Sequence, residues 1–258
     1  MSATARRRTK RSKGWVPDQH GAWVMVVVPA LVGVGLAPAG VDIPLLITWW
    51  AGYFAFFAAG ILVRSRFREI NRPPVYVYGA ITIAAGLICL AVNWRFLYWI
   101  PAFAPWVLIA IWELWKRRPR SLASGWSTVI AACLMTPLGA WAGGHDLDLR
   151  VWAVTAVLTA YFLGTVPYVK TLIRERGDAR WLWFSVGFHV AVTLIAVAAA
   201  FSGVVSWLVP LVFCFTTLRA FTMPFSGQRR QRPWTPKTVG LIEGVVTVLV
   251  VIAALVQA

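Results

Sequence analysis

The stretch Trp15–Leu36, WVPDQHGAWVMVVVPALVGVGL, passes from polar to almost wholly apolar within a few residues, with His20 at the crossing. A transmembrane helix needs about 20 mostly apolar residues to cross the hydrocarbon of a bilayer. The stretch meets that need, and its basic approach, RRRTKRSKG, is followed by polar PDQHG and then by an apolar run too long for the core of a cleaved leader. It reads as a retained first span. Asp18 is suited to cap its exposed N–H groups, and His20 falls in the first turn.

Working outward, similar runs recur at about 22–40, 43–63, 75–92, 97–115, 125–143, 151–171, 181–201, 203–222 and 238–257. The chain is 59% hydrophobic and only 13% charged, where a soluble domain carries about a quarter charged residues. The expected fold is therefore all-α: a polytopic membrane helical bundle of about nine transmembrane helices. Residues 1–21 form a basic cytoplasmic tail, and 22–258 the nine-span domain. Failure of the link Phe201–Ser206, FSGVVS, to turn would reduce the count to eight.

Charge supplies an independent check. Net charge is +16, and with the N-terminus inside, 23 of the 25 Lys and Arg fall in the tail and alternate loops, including a last loop taken as Arg219–Lys237. Only Arg95 and Arg150 fall on the other side. This asymmetry places the N-terminus in and the C-terminus out, in the cytoplasmic (inner) membrane. The basic residues serve topology and contact with anionic lipids. No nucleic-acid motif accompanies them, so no nucleic-acid partner is expected. Cys89, Cys133 and Cys214 all lie in apolar runs, are odd in number and have no CxxC spacing, so they read as small buried hydrophobes.

Ionisable residues at membrane depth cost about 2.5–3.5 kcal/mol at a span centre, so each needs a partner or a purpose. Glu243, between Gly240 and Gly244 in the last span, is the first candidate; the alternative for it is a structural ion pair with an Arg. His189 has no His or carboxylate one turn away and reads as a packing residue. Tyr53, Phe57, Gly60, Arg64, Arg68 and Asn71 share a helical face that descends to two arginines. In YFLGTVPYVKTLIRERGD, Tyr161, Thr165, Tyr168 and Glu175 share another side, Lys170 and Arg174 project elsewhere, and Pro167 frees a backbone carbonyl. His20, Arg64, Arg68, Tyr168, Lys170, Arg174, Glu175 and Glu243 are thus the candidate ligand-binding residues at the cytoplasmic side. Converged, they suit an anionic headgroup or phosphate.

The segments PDQHGAWVMVVVPALVGVG, GTVPYVKTLIRERGD and PKTVGLIEGVV together resemble the YwiC-like family of bacterial integral membrane proteins. That resemblance implies a multi-pass protein of the cytoplasmic membrane and brings no established activity with it. A more distant similarity is to UbiA-type intramembrane prenyltransferases, whose Asp-rich motifs hold Mg²⁺ after spans two and six. Here the corresponding segments read VRSRFREIN and VKTLIRERGD, without spaced aspartates. Arg and Lys supply no oxygen ligands, so no metal and no cofactor is expected.

Three functions remain open on the sequence. The first is binding, with or without processing, of an anionic or isoprenoid-type lipid in a cytoplasmic-side pocket. The second is transport of a small molecule. The third is a non-enzymatic accessory or assembly role, with Gly60, Gly139 and Gly164 marking helix interfaces. No GxSxG or HExxH motif or phosphate-cradling loop points to hydrolase chemistry.

Overall fold

Long apolar runs punctuated by charged or Gly- and Pro-containing links form helices because a bilayer leaves no other partner for backbone N–H and C=O groups. The computed structural model describes residues 14–17, 20–229 and 234–256, with side chains described at 14–17, 23–226 and 234–256. Helices in chain order are α1 (His20–Leu36), α2 (Asp42–Arg64), α3 (Arg72–Val92), α4 (Ile100–Trp115), α5 (Leu122–Cys133), α6 (Met135–Ala142), α7 (Leu149–Ile173), α8 (Ala179–Phe201), α9 (Leu208–Arg229) and α10 (Pro236–Leu255). No strand occurs among the described residues.

Helices α5 and α6 are one span broken at Leu134, where Pro137 deprives the Cys133 carbonyl of its helical donor. Taken so, eight helices among the described residues are long and apolar enough to cross a membrane, and α1, at 17 residues, is shorter. The FSGVVS link is a true turn: α8 ends at Phe201, Gly203 adopts φ +71°, and α9 begins at Leu208. Among the described residues the turns thus separate nine apolar helical segments, α5 and α6 counted as one, with boundaries displaced by a few residues from those expected.

Two expectations fail at helix ends. The second helix stops at Arg64, so Arg68 and Asn71 do not continue its face. Phe67 N–H donates to the Leu62 carbonyl and Arg66 N–H to that of Val63, closing the helix with Arg66 and Phe67 both at positive φ. This is the hydrogen-bond pattern of a Schellman stop, made here without glycine. In the other case α9 runs on to Arg229, so Arg219 belongs to the helix and not to a loop.

Helix α7 lies at the centre, with 56% of its span buried, whereas α3 and α4 are peripheral at 11% each. The main core joins α7 to residues of α1, α5, α8, α9 and α10, including Val154, Leu158, Phe162, Phe213 and Val250. Helices α1 and α6 meet backbone to backbone. A Cβ on Gly33 would stand 2.5 Å from the Met135 carbonyl oxygen, and one on Gly139 2.7 Å from Val34 N. Only hydrogen fits at those positions. Cys89 and Cys133 are buried as expected, but Cys214 is exposed on α9. An outward position in lipid asks for an apolar side chain, not for burial, so the same composition serves both.

Candidate functional site

The polar side chains buried between α7 and α10 gather around one ion pair. Arg219, near the middle of α9 and 4% exposed, donates through Nη1 to Oε1 of Glu243 on α10, itself 7% exposed. The Tyr161 hydroxyl lies 3.1 Å from Glu243 Oε2 and 3.1 Å from Thr247 Oγ1, and Thr247 donates to the Glu243 carbonyl at 2.7 Å. On the other side of the pair the guanidinium stacks 4.3 Å from the centre of the Tyr168 ring, a cation–π contact strengthened by exclusion of water. The Tyr168 hydroxyl donates to Met223 Sδ at 2.8 Å.

His189 stands beside this cluster. Its Nδ1 lies 2.8 Å from the Ser185 carbonyl, which only accepts, so Nδ1 carries the proton. A Cβ on Gly164 would lie 3.1 Å from His189 Nε2, so the small residue on α7 makes room for the ring. Arg219 Nε and Nη2 and the Ser185 hydroxyl are buried without a hydrogen-bond partner. Nε and Nη2 form the side-on fork of the guanidinium, the pair of donors that grips a planar acceptor.

The residues anticipated from the sequence fall into separate groups. Glu243 and Tyr168 meet through Arg219. Lys170 stands at the end of α7, its Nζ 4.2 Å from the centre of the Trp181 ring, with Glu175 and Arg174 acting on it electrostatically. Arg174, just past the helix, is held below the usual arginine range by partial burial and then by the like charge of Arg120, with Glu175 opposing. Arg64 and Arg68 are exposed at the α2–α3 corner. Helix α2 packs against α1, α3, α4 and α6, while the helices that carry Glu243 and Lys170 lie elsewhere. The single pocket joining all of them is not formed, because α2 and α7 do not adjoin. His20 opens α1, but its side chain lies outside the described residues, as does Asp18.

Pro167 does free a carbonyl, that of Leu163, and Trp126 Nε1 on α5 takes it at 3.0 Å. Two features escaped the sequence reading. Arg219 was counted among loop charges, although TTLRAFT continues an apolar helix on both sides. The second is a cavity of about 620 Å³ between α2, α3, α4 and α5–α6. Trp49, Tyr53, Phe103 and Trp106 line it together with Thr48, Thr82, Ser127 and Thr128, and among the described residues no Asp, Glu, Lys or Arg does. Its trace in the sequence is two Thr–Gly pairs four residues apart, Thr48–Gly52 and Thr82–Gly86, facing one another on α2 and α3. Among the described residues no cluster of three or more His, Cys, Asp or Glu is placed to hold a metal.

Helices of this length and apolarity define a multi-pass α-helical membrane protein. The family model described as YwiC-like protein matches residues 16–140, just under half of the chain. An uncharacterized protein of Haemophilus influenzae is 28% identical over 93% of this chain and 97% of its own length. The uncharacterized protein YwiC of Bacillus subtilis is 28% identical over 90% of this chain and 92% of its own. No solved structure matches the chain, and the UbiA resemblance rests on the sequence features alone.

Proposed function

We propose that this protein holds an uncharged, isoprenoid-type lipid inside the bilayer, in the cavity between α2 and α6. One observation carries the reading: about 620 Å³ of space, ringed by aromatic side chains and free of charged lining residues. Ligand sites span about 300–1,000 Å³ and are mostly apolar with a few polar groups. The four hydroxyls donate to carbonyls of their own helices, which leaves oxygen lone pairs to accept from a ligand hydroxyl. An anionic headgroup finds no cation there among the described residues, so the arginines at the α2–α3 corner serve topology and the anionic membrane surface instead. With basic loops inside, the N-terminus is cytoplasmic and the C-terminus is outside, in the cytoplasmic membrane.

Mass spectrometry of small molecules retained in mild detergent tests this. A defined apolar species is expected in the wild type, lost in Gly86→Phe and kept in Arg64→Ala/Arg68→Ala. Thermal unfolding run alongside checks that Gly86→Phe remains folded. Only bulk lipids, equal in all three proteins, would sink the reading.

A second reading, movement of a polar solute, draws on the unpartnered Arg219 fork and Ser185 hydroxyl, since buried donors without acceptors are costly. It requires an aqueous path to α8. A Ser185→Cys variant modified by a water-soluble thiol reagent would favour it; an inert thiol would leave the lipid reading alone.

A further inference from the structure

The walls of the cavity differ in a way that bears on where its ligand comes from. Toward the core the lining is closed: Val26, Ser127, Ala131 and Met135 are all buried. At the end away from the basic loops, the lining residues Phe96 and Trp99 pack on Trp141, with ring centroids 5.2 Å and 6.0 Å apart. Toward lipid the lining is open. Ile83 and Leu87 on α3 and Ile100 on α4 line the cavity, yet are 65%, 60% and 57% exposed.

The opening follows from how the two helices pack. Helix α3 packs along α2 and touches the short 3₁₀ turns Glu69–Asn71 and Trp94–Trp99. Helix α4 packs on α5, α2 and the second of those turns. The two are joined by the turn but are not packed along each other. Their lining residues run from the middle of α3 to its end and, Ala110 apart, lie in the first half of α4, the halves nearest the turn and farthest from Arg64–Arg72 and Lys116–Arg120.

We propose that the ligand is a lipid dissolved in the leaflet opposite the basic loops, and that it reaches the cavity sideways through the gap between α3 and α4. This rests on the cavity being a ligand site. It favours a lipid over a water-soluble metabolite as the substrate class, because the exposed part of the lining on α3 and α4 is apolar. Apolar side chains at the gap cost nothing while lipid covers them, and they give an incoming chain a continuous apolar surface.

The test bridges the gap. On a background with Cys89, Cys133 and Cys214 changed to Ala, Ile83→Cys and Val107→Cys are joined by a cleavable bis-maleimide. Deuterated farnesol, an uncharged isoprenoid alcohol, is supplied in vesicles, and its uptake is followed by native mass spectrometry. Bridging should slow uptake at least about ten-fold, as expected when binding must wait on a blocked approach, and cleaving the linker should restore it. A control bridge between Val190→Cys and Leu218→Cys, on the α8–α9 groove, should change nothing. Equal uptake with and without the α3–α4 bridge would overturn the lateral route while leaving the cavity as a site. No uptake by the unbridged protein, together with no co-purifying lipid, would overturn both.

Discussion

At the scale of single residues, the Arg219–Glu243 pair sets the outcome of mutagenesis. Each charge is buried, so removing one leaves the other unpaired, a change that costs about 3–5 kcal/mol, whereas replacing both by apolar groups of similar volume is often neutral. Glu243→Gln is therefore expected to lower thermal stability sharply, and Arg219→Met/Glu243→Met to recover most of it. Equal melting temperatures for Glu243→Gln and wild type would show that the pair carries no such strain. The single variant is accordingly a poor probe of function, because misfolding and loss of a ligand group would look alike. Glu243 was legible as an acid within an apolar run, and an arginine partner was the stated alternative. The identity of that arginine was not, because TMPFSGQ, with its proline and glycine, reads as the end of the span.

At the scale of helices, two contacts hold the interior elements in place. Gly33 and Gly139 let α1 and α6 touch through their backbones, and a Cβ on Gly143 would overlap the Ala37 carbonyl. Gly139→Leu should destabilise by more than the roughly 1–3 kcal/mol typical of overpacking. Gly35→Ala, where nothing lies within 4 Å, should be neutral or slightly stabilising, since alanine suits helices better. Similar melting curves for the two variants would refute the close crossing. On α7, Trp126→Phe removes the donor to the Leu163 carbonyl freed by Pro167 and should cost about 1 kcal/mol, read as a lower melting temperature. The proline's effect was visible in the sequence, but the donor that answers it comes from residues 37 positions away. The supposed face from Tyr53 to Asn71 shows the reverse failure. Helical spacing was extended through Arg66 and Phe67, whose positive φ angles no residue type there announces.

For the whole molecule, orientation and the division of labour between halves are open to direct test. In a cysteine-free background, Arg66→Cys should resist a membrane-impermeant maleimide on intact cells, and Gly144→Cys should react. The opposite pattern would invert the topology. Helices α7, α9 and α10 bury the Arg219–Glu243 cluster, and α2 to α6 surround the apolar cavity. Deleting charge at Arg219 and Glu243 should therefore leave lipid retention in the cavity unchanged.

The number of spans, their approximate bounds and the segregation of basic residues into alternate loops follow from the sequence alone. They depend on local composition set against a solvent of known thickness. Which side chains meet does not, because helices in lipid are sorted by packing shape and not by hydrophobicity. Of the eight residues anticipated for one site, the seven with described side chains are divided among three separate groups for that reason: α2 and α7 do not adjoin, and the partners that meet Tyr168 and Glu243 come from α9. The cavity is equally a product of packing. Nothing in α3 or α4 taken singly marks a gap, and it exists only because each leans on a different neighbour.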